Sequence, residues 1–327
     1  MNFSAGTGAG YARRAADAAA IAEAARLLRD GGLVAFPTET VYGLGADATN
    51  AAAIARVYAA KGRPSFNPLI AHLADPEAAT REGIFSAAAQ KLAERFWPGP
   101  LTLVVPVADT SRICDLARAG LRSVGLRVPA HPVARALLAE VGRPIAAPSA
   151  NRSGHVSPVS ADHVIEDLGQ AIDLVLDGGP SNVGIESTIV ACLDDRPRLL
   201  RPGGIAREDI EEVLGQRLAV IDGRAAGGPI APGMLALHYA PRAALRLDAT
   251  SLEPGEAGLD FGGRFAPGAH VLDLSPRGDT IEAAANLYSC LRRLDAGGAE
   301  AIAVAPIPAH GLGEAIRDRL QRAAAPR

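Results

Sequence analysis

Lys61, Arg63 and Asn67 fall within seven residues of the stretch KGRPSFNPL, at the end of an apolar helical run and boxed in by Pro64 and Pro68. A lysine and an arginine straddling a glycine at a helix C-terminus either complement the helix dipole or form a phosphate or carboxylate clamp, with the guanidinium binding as a fork and the ammonium as a point charge. Lys61 and Lys91 are the only lysines among 33 basic residues. A lysine retained against so strong an arginine bias reads either as a place for a compact ammonium or as chance survival. Pro148-Ser149-Ala150-Asn151 supplies two hydrogen-bonding side chains where a strand ends, followed by Ser153-Gly154. A third stretch runs from Phe36 through Thr38, Glu39 and Thr40 to Gly43 and Gly45, leaving an apolar strand for a glycine-punctuated polar turn. Polar clusters at the ends of apolar elements are where α/β proteins place chemistry.

No serine nucleophile is expected. Ser149 lies in no G-x-S-x-G elbow, and no acid–base pair can be assigned to it. Neither a Walker A loop nor a G-x-G-x-x-G fingerprint occurs, so a nucleotide site would be non-standard. Glu39, Asp47 and Glu186 are candidate magnesium ligands by type, although their spacing selects no metal. His72, among apolar residues at a strand end, reads first as a satisfied core histidine. The glycines of residues 177–180 and 184–188 would let backbone approach a ligand.

These residues need a framework. At 327 residues the chain suggests two domains, and 48% hydrophobic content supplies real cores, with an aromatic share of only 4%. A net charge of −3 gives no global case for nucleic-acid binding. Cys114, Cys192 and Cys290 are scattered, odd in number and without close partners, which argues against disulfides and zinc and fits a reducing cytosol. No run of about 18 apolar residues predicts a membrane span.

Periodicity predicts helices over 12–30, 50–60, 86–96, 132–140, 160–168 and one ending near Gly215, with Asn50 and Ser86 as caps. Strands are expected at 33–36, 69–73, 101–107, 124–128, 174–176 and 188–193, several of them consecutive, so the sheet should be mixed. Residues 224–233, rich in Gly, Ala and Pro, read as a linker. Beyond it, strands near Leu245 and Val271 and at 301–305 alternate with helices over 280–294 and 312–323, a small and mainly parallel unit. The expected division is a domain over 12–216, a linker over 217–241 and a second domain over 242–327.

In order, PTETVYGLGA (37–46), KGRPSFNPL (61–69), WPGPLTLV (97–104), VGLRVPAHPVA (124–134), PIAAPSAN (144–151), GIESTIV (184–190) and LLRPG (199–203) closely resemble the YrdC-like family in its long, two-domain form. PGM (232–234) and HYAP (238–241) are similar to that form's linker, with Leu235-Ala236-Leu237 replacing its basic and aromatic middle. The last residues, LGEAIRDRLQRAA, match more weakly.

The resemblance implies a mixed, twisted open α/β sheet with a basic concave face, joined to a smaller Rossmann-like domain. It implies an enzyme, a nucleotidyltransferase that makes L-threonylcarbamoyl-AMP from L-threonine, bicarbonate or CO2, and ATP with Mg2+, releasing pyrophosphate. The product would feed the tRNA threonylcarbamoyl-transfer machinery, in the cytoplasm, with weak RNA binding and no membrane. Thr40, His72, Arg127, Ala147 and Ser187 would line the threonine site. Arg63, Asn67, Ser123, Ser149, Ser157, Arg201 and Tyr239 would hold ATP, and Lys61, Arg63, Ser149 and Asn151 would form the reaction centre. Two rival expectations are a double-stranded RNA or ribosome-associated binding module and a carbamoyl-transfer module. Scarce lysine disfavours the first, and a chain too short for large fused catalytic domains disfavours the second.

Overall fold

The computed structural model describes residues 11–220 and 239–325. The linker features at 232–234, at Leu235-Ala236-Leu237 and at His238 lie outside the described residues. In chain order the elements are β1 (Ala12–Ala15), α1 (Ala18–Arg29), β2 (Val34–Pro37), β3 (Tyr42–Asp47), α2 (Ala51–Lys61), β4 (Ile70–His72), α3 (Pro76–Thr80), α4 (Ala87–Phe96), β5 (Leu101–Pro106), β6 (Ser123–Arg127), α5 (Pro132–Val141), β7 (Ile145–Ala146), α6 (Ala161–Leu168), β8 (Leu174–Asp177), β9 (Thr188–Ala191), β10 (Arg198–Arg201), α7 (Arg207–Leu214) and β11 (Ala219–Val220). After the linker come β12 (Ala244–Arg246), β13 (Ala257–Asp260), β14 (Val271–Asp273), α8 (Thr280–Ala296), β15 (Ala301–Val304) and α9 (Gly313–Ala323).

The first eleven strands form one mixed sheet, ordered β1-β8-β2-β3-β7-β4-β6-β5-β9-β10-β11. Strand alternation divides its core. Val34 and Phe36 of β2, with Leu174 and Leu176 of β8, face α1 and α5 through Ala24, Leu28, Leu137 and Leu138. Leu33, Ala35 and Val175 belong to the larger cluster, with Ile54 and Val57 of α2, Leu92 of α4 and Val164 of α6. A third cluster (Ile70, Val104, Ile189, Ala191 and Leu200) draws on β4, β5, β9 and β10 and carries no helical residue among its buried members. The second domain has four strands, β12-β15-β13-β14, all parallel, as its alternating pattern predicted.

Three local expectations are corrected. The segment 12–30 is not one helix. Ala12–Ala15 pairs parallel with β8, and Asp17 caps α1 by accepting from the Ala20 amide at 2.8 Å. Edge pairing with a strand some 160 residues away overrides the alanine-rich helical signal. The glycines after Thr40 do not make a turn either: Gly43 and Gly45 lie inside β3. A Cβ at Gly45 would come within 2.8 Å of the Phe36 ring, and one at Gly43 within 3.1 Å of Ala147 Cβ. Those glycines thus mark close packing across a strand. Finally β13, unexpected because AGLD lacks a β-branched residue, forms through parallel pairs with β14 and β15.

Candidate functional site

The register of parallel β4 and β6 sets His72 directly beside Arg127. Around them a small cavity is lined by Thr40 and Val41 from the β2–β3 turn, Arg63, Ile70, Ala147, Pro148, Ser149, Glu186, Ser187, Arg201 and Tyr239. All five residues expected to line a threonine site therefore share one cavity with Arg63, Ser149, Arg201 and Tyr239 from the expected nucleotide set. The space open to water-sized molecules is about 50 Å³, against roughly 300 Å³ or more for a typical small-molecule site.

Arg127 is clamped by its own domain. Its Nη2 donates to Glu39 Oε1 at 2.7 Å, Nη1 to Thr40 Oγ1 at 2.9 Å, and Nε to the Gly99 carbonyl at 3.3 Å. Three of the five guanidinium N–H donors are thus committed and two remain for a ligand carboxylate. Glu39 also accepts from the Ala130 amide at 3.1 Å, and Thr40 Oγ1 meets Thr38 Oγ1 at 2.8 Å. Burial, aided by the Arg127 charge, lowers the His72 pKa to about 3, so the imidazole is neutral near pH 7. Its Nδ1 lies 3.3 Å from the Ile70 carbonyl. Ser187 Oγ and Thr102 Oγ1 are paired at 2.7 Å.

The cations next to this pocket are bound differently. Lys61 is the last residue of α2, and Gly62 in a left-handed conformation then turns the chain. Lys61 Nζ donates to the Ser149 and Asn151 carbonyls at 2.6 and 2.5 Å, joining the KGRPSFNPL and PSAN stretches. Arg63 donates to the Asn67 and Pro68 carbonyls at 3.2 and 2.9 Å. Arg201 donates to the Ser187 carbonyl at 2.9 Å and reaches its hydroxyl at 3.3 Å. All three side chains are buried, and among the described residues none forms an ion pair. Burial, then the Arg63 charge, pushes the Lys61 pKa well down, and burial lowers Arg63 to about 10. A buried cation without a counter-charge is costly, and a bound anion removes that cost.

Two acceptors are also left over. Among the described residues Asn67 Oδ1 and Asn151 Oδ1 are buried without a hydrogen-bond partner, although Asn151 Nδ2 donates to the Arg152 and His155 carbonyls. Orphaned buried oxygens beside buried cations fit ligand N–H groups or metal-bound water.

Five expected residues, Lys61, Asn67, Ser123, Asn151 and Ser157, stand apart from the cavity wall. Ser123 begins β6, four residues and about 13 Å of strand from Arg127. Ser157 spends its hydroxyl on Glu186 Oε1 at 2.5 Å. The carboxylates considered for a metal are each held by arginine: Glu39 by Arg127, Asp47 by Arg143 at 2.8 Å, and Glu186 by Arg319 at 2.8 Å. Among the described residues no cluster of three His, Cys, Asp or Glu could hold a metal ion.

Sequence reasoning missed Val41 and Ile70 as apolar wall and Arg319 behind Glu186. Hydrophobic spacing gives no sign of a pocket, and nothing in the sequence pairs Arg319, on the last helix, with Glu186, 133 residues away. Lys91, by contrast, is exposed on α4. Tyr239, at the end of the linker, is buried and held at φ 64°, a conformation rare for a non-glycine residue. Backbone of this kind persists where surrounding contacts enforce it.

Comparison with known proteins covers both domains. A family profile described as "Telomere recombination", for Sua5, YciO and YrdC, matches residues 26–203. A second, described as "Threonylcarbamoyl-AMP synthase, C-terminal domain", matches residues 205–325. A Bacillus subtilis protein named threonylcarbamoyl-AMP synthase is 44% identical over 93% of this chain and 92% of its own length. A Pyrococcus abyssi protein of the same name is 41% identical over 92% of each. The crystal structure of P. abyssi Sua5 complexed with L-threonine superimposes with a TM-score of 0.87 at 39% identity, covering 96% of both chains. With both profiles matched in order and relatives of this identity aligned nearly end to end, the chain belongs to the two-domain threonylcarbamoyl-AMP synthase family.

Proposed function

We propose that this chain is an L-threonylcarbamoyladenylate synthase, joining L-threonine, bicarbonate or CO2, and ATP to give threonylcarbamoyl-AMP and pyrophosphate. The observation that carries the reading is the pairing of two unlike surfaces. A pocket with a half-committed arginine, small hydroxyls and a neutral histidine adjoins three buried cations that form no ion pair among the described residues. The first suits a small hydroxy amino acid, and the second suits a polyphosphate.

In this reading the free N–H donors of Arg127 take the threonine carboxylate, while Thr40, Ser187, Ala147 and His72 shape a small mixed pocket around its hydroxyl and methyl. The threonine amine loses a proton and captures CO2 as a carbamate. A carbamate oxygen attacks the ATP α-phosphorus, and pyrophosphate leaves. Lys61, Arg63 and Arg201 neutralise charge spread over the phosphoryl oxygens, so catalysis is positioning plus electrostatics and needs no protein nucleophile. Asn67, Ser149 and Asn151 orient the nucleotide, Ser123 and Tyr239 complete its surroundings, and Ser157 acts through Glu186. Mg2+ arrives on the ATP phosphates as part of the substrate, since the nearby carboxylates are tied to arginines. The product is then consumed by tRNA threonylcarbamoyl-transfer machinery, which sets the work in the cytoplasm. Three unpaired cysteines fit that compartment.

Incubation with MgATP, bicarbonate and L-threonine should release pyrophosphate, with L-serine as the control. Release no greater with threonine than with serine would sink the assignment.

A further inference from the structure

Glu186 lines the cavity on one side, and its carboxylate is held from behind by the other domain. It accepts from Arg319 Nε at 2.8 Å, from Tyr288 Oη at 2.9 and 3.1 Å, and from Ser157 Oγ at 2.5 Å. Tyr288 belongs to α8 and Arg319 to α9, both in the small domain. Burial opposes ionisation of Glu186, yet Arg319 and Arg201 outweigh it and lower the pKa to about 2, so the carboxylate stays charged. Arg319 also donates to the Pro202 carbonyl at 2.9 Å, next to Arg201, and its guanidinium lies 5.0 Å from the centre of the Tyr239 ring. Tyr239 in turn stacks on Tyr288 at 5.9 Å and 24°. Arg319 and Tyr288 are almost wholly buried.

The segment carrying Glu186 is pressed against the small domain as well as bonded to it. At Gly184, with φ 76°, an added Cβ would come within 2.5 Å of the Ala284 carbonyl oxygen and Ala285 Cα of α8. Ile185 is buried in the core cluster of the small domain, together with Leu287. The next residue, Ser187, puts its hydroxyl on the cavity wall, and its carbonyl anchors Arg201. A displacement of Glu186 by a fraction of an ångström would therefore move a substrate-facing hydroxyl and a phosphate-facing cation together.

We propose that Arg319 and Tyr288 are positioning residues for the reaction. Through Glu186 they fix Ser187 and Arg201, so the small domain completes a site whose substrate-facing side chains come from the large domain and the end of the linker. This rests on the assignment of threonylcarbamoyl-AMP synthesis made above.

The test uses the whole chain and five variants: Tyr288→Phe, Arg319→Lys, Arg319→Met, the double variant Tyr288→Phe/Arg319→Lys, and Arg277→Gln as a distant control on an exposed loop. Threonine-dependent pyrophosphate release is measured over a range of threonine and ATP concentrations, alongside thermal melting. Tyr288→Phe keeps the stacked ring and loses only the hydroxyl. It should melt close to the parent and lose about ten-fold in kcat/KM for threonine, the scale of one hydrogen bond to a charged group. Arg319→Met should lose about a hundred-fold or more. Arg319→Lys should fall between, because it retains the charge on Glu186 without the fork to Pro202. The double variant Tyr288→Phe/Arg319→Lys should lose less than the product of the single losses, since both act through one carboxylate.

If Arg319→Met does not fold, Tyr288→Phe and Arg319→Lys decide. Folded forms of those two with kcat/KM for threonine within two-fold of the parent, whatever their melting temperature, would reduce the contact to a structural seam and overturn the proposal. A parent protein that releases no threonine-dependent pyrophosphate overturns the underlying assignment instead, and the proposal with it.

Discussion

Replacing Arg127 with methionine separates the two roles its geometry gives it. In the folded protein its guanidinium neutralises Glu39, a carboxylate whose side chain is only 8% exposed. Removing one partner of a buried pair leaves an uncompensated charge and costs about 3–5 kcal/mol. For a domain of this size that is a fall of roughly 6–20 °C in melting temperature. Trp97 is the single tryptophan and sits buried in the first domain, with Nε1 donating to the Leu101 carbonyl at 2.8 Å, so its fluorescence reports this domain's unfolding. Adding Glu39→Gln removes the stranded charge and keeps an acceptor for the Ala130 amide, and should restore about half of the lost stability or more. Threonine affinity should not return. Two charge-assisted hydrogen bonds to the ligand carboxylate, at about 1.5–3 kcal/mol each, predict binding weakened over 100-fold in single and double variants, measured by calorimetry. The reasoning is refuted if Arg127→Met binds threonine within ten-fold of the parent, or if the double variant is no more stable than the single one.

Lys61→Arg should leave melting within a few degrees yet reduce turnover by about 100-fold or more, because a planar fork cannot reproduce an ammonium seated between the Ser149 and Asn151 carbonyls. Near-parental turnover would show that any cation suffices there. His72 gives a pH signature. Its pKa is lowered to about 3 in the folded state against 6.5 unfolded, so below pH 6.5 the unfolded chain binds a proton that the folded one refuses. Stability should decline from pH 6.5 towards 3, by up to about 1.4 kcal/mol per pH unit from this group, and His72→Gln should flatten that slope in denaturant titrations. An unchanged slope would mean that His72 is protonated in the fold. Gly184→Ala should be among the more damaging single-methyl additions, since φ 76° disfavours alanine and the methyl meets α8 backbone. A melting temperature equal to the parent's would mean that the two domains do not touch there.

The elements that local chemistry sets up were legible before any coordinates. Asn50 accepts from the Ala52 and Ala53 amides at 3.0 and 3.3 Å, and Ser86 from Ala89 at 3.3 Å, as their places before apolar periodic runs suggest. Non-local partners decided what was not legible. Ala12–Ala15 carries the composition of the following helix, yet it is a strand because β8 offers an edge. Gly43 and Gly45 have turn-like composition, but Phe36 and Ala147 crowd them inside a sheet. In the site, motif clustering singled out Lys61, Arg63, Ser149 and Asn151, and the structure ties the first of these directly to the last two positions. Arg319 is not legible in the sequence because its partner Glu186 lies 133 residues away. Glu186 was weighed as a metal ligand because residue type alone cannot say which cation a carboxylate will meet.

The central claim is that a carbon from bicarbonate becomes a threonine carbamate and is transferred to AMP at the Arg127–Lys61–Arg63 site. Supplying 13C-bicarbonate, L-threonine and MgATP and reading the products by mass spectrometry tests it directly. The account predicts a threonyl adduct of AMP one mass unit heavier than with unlabelled bicarbonate, formed with equimolar pyrophosphate. ADP and phosphate as the only nucleotide products, or an AMP adduct that never carries the label, would contradict it.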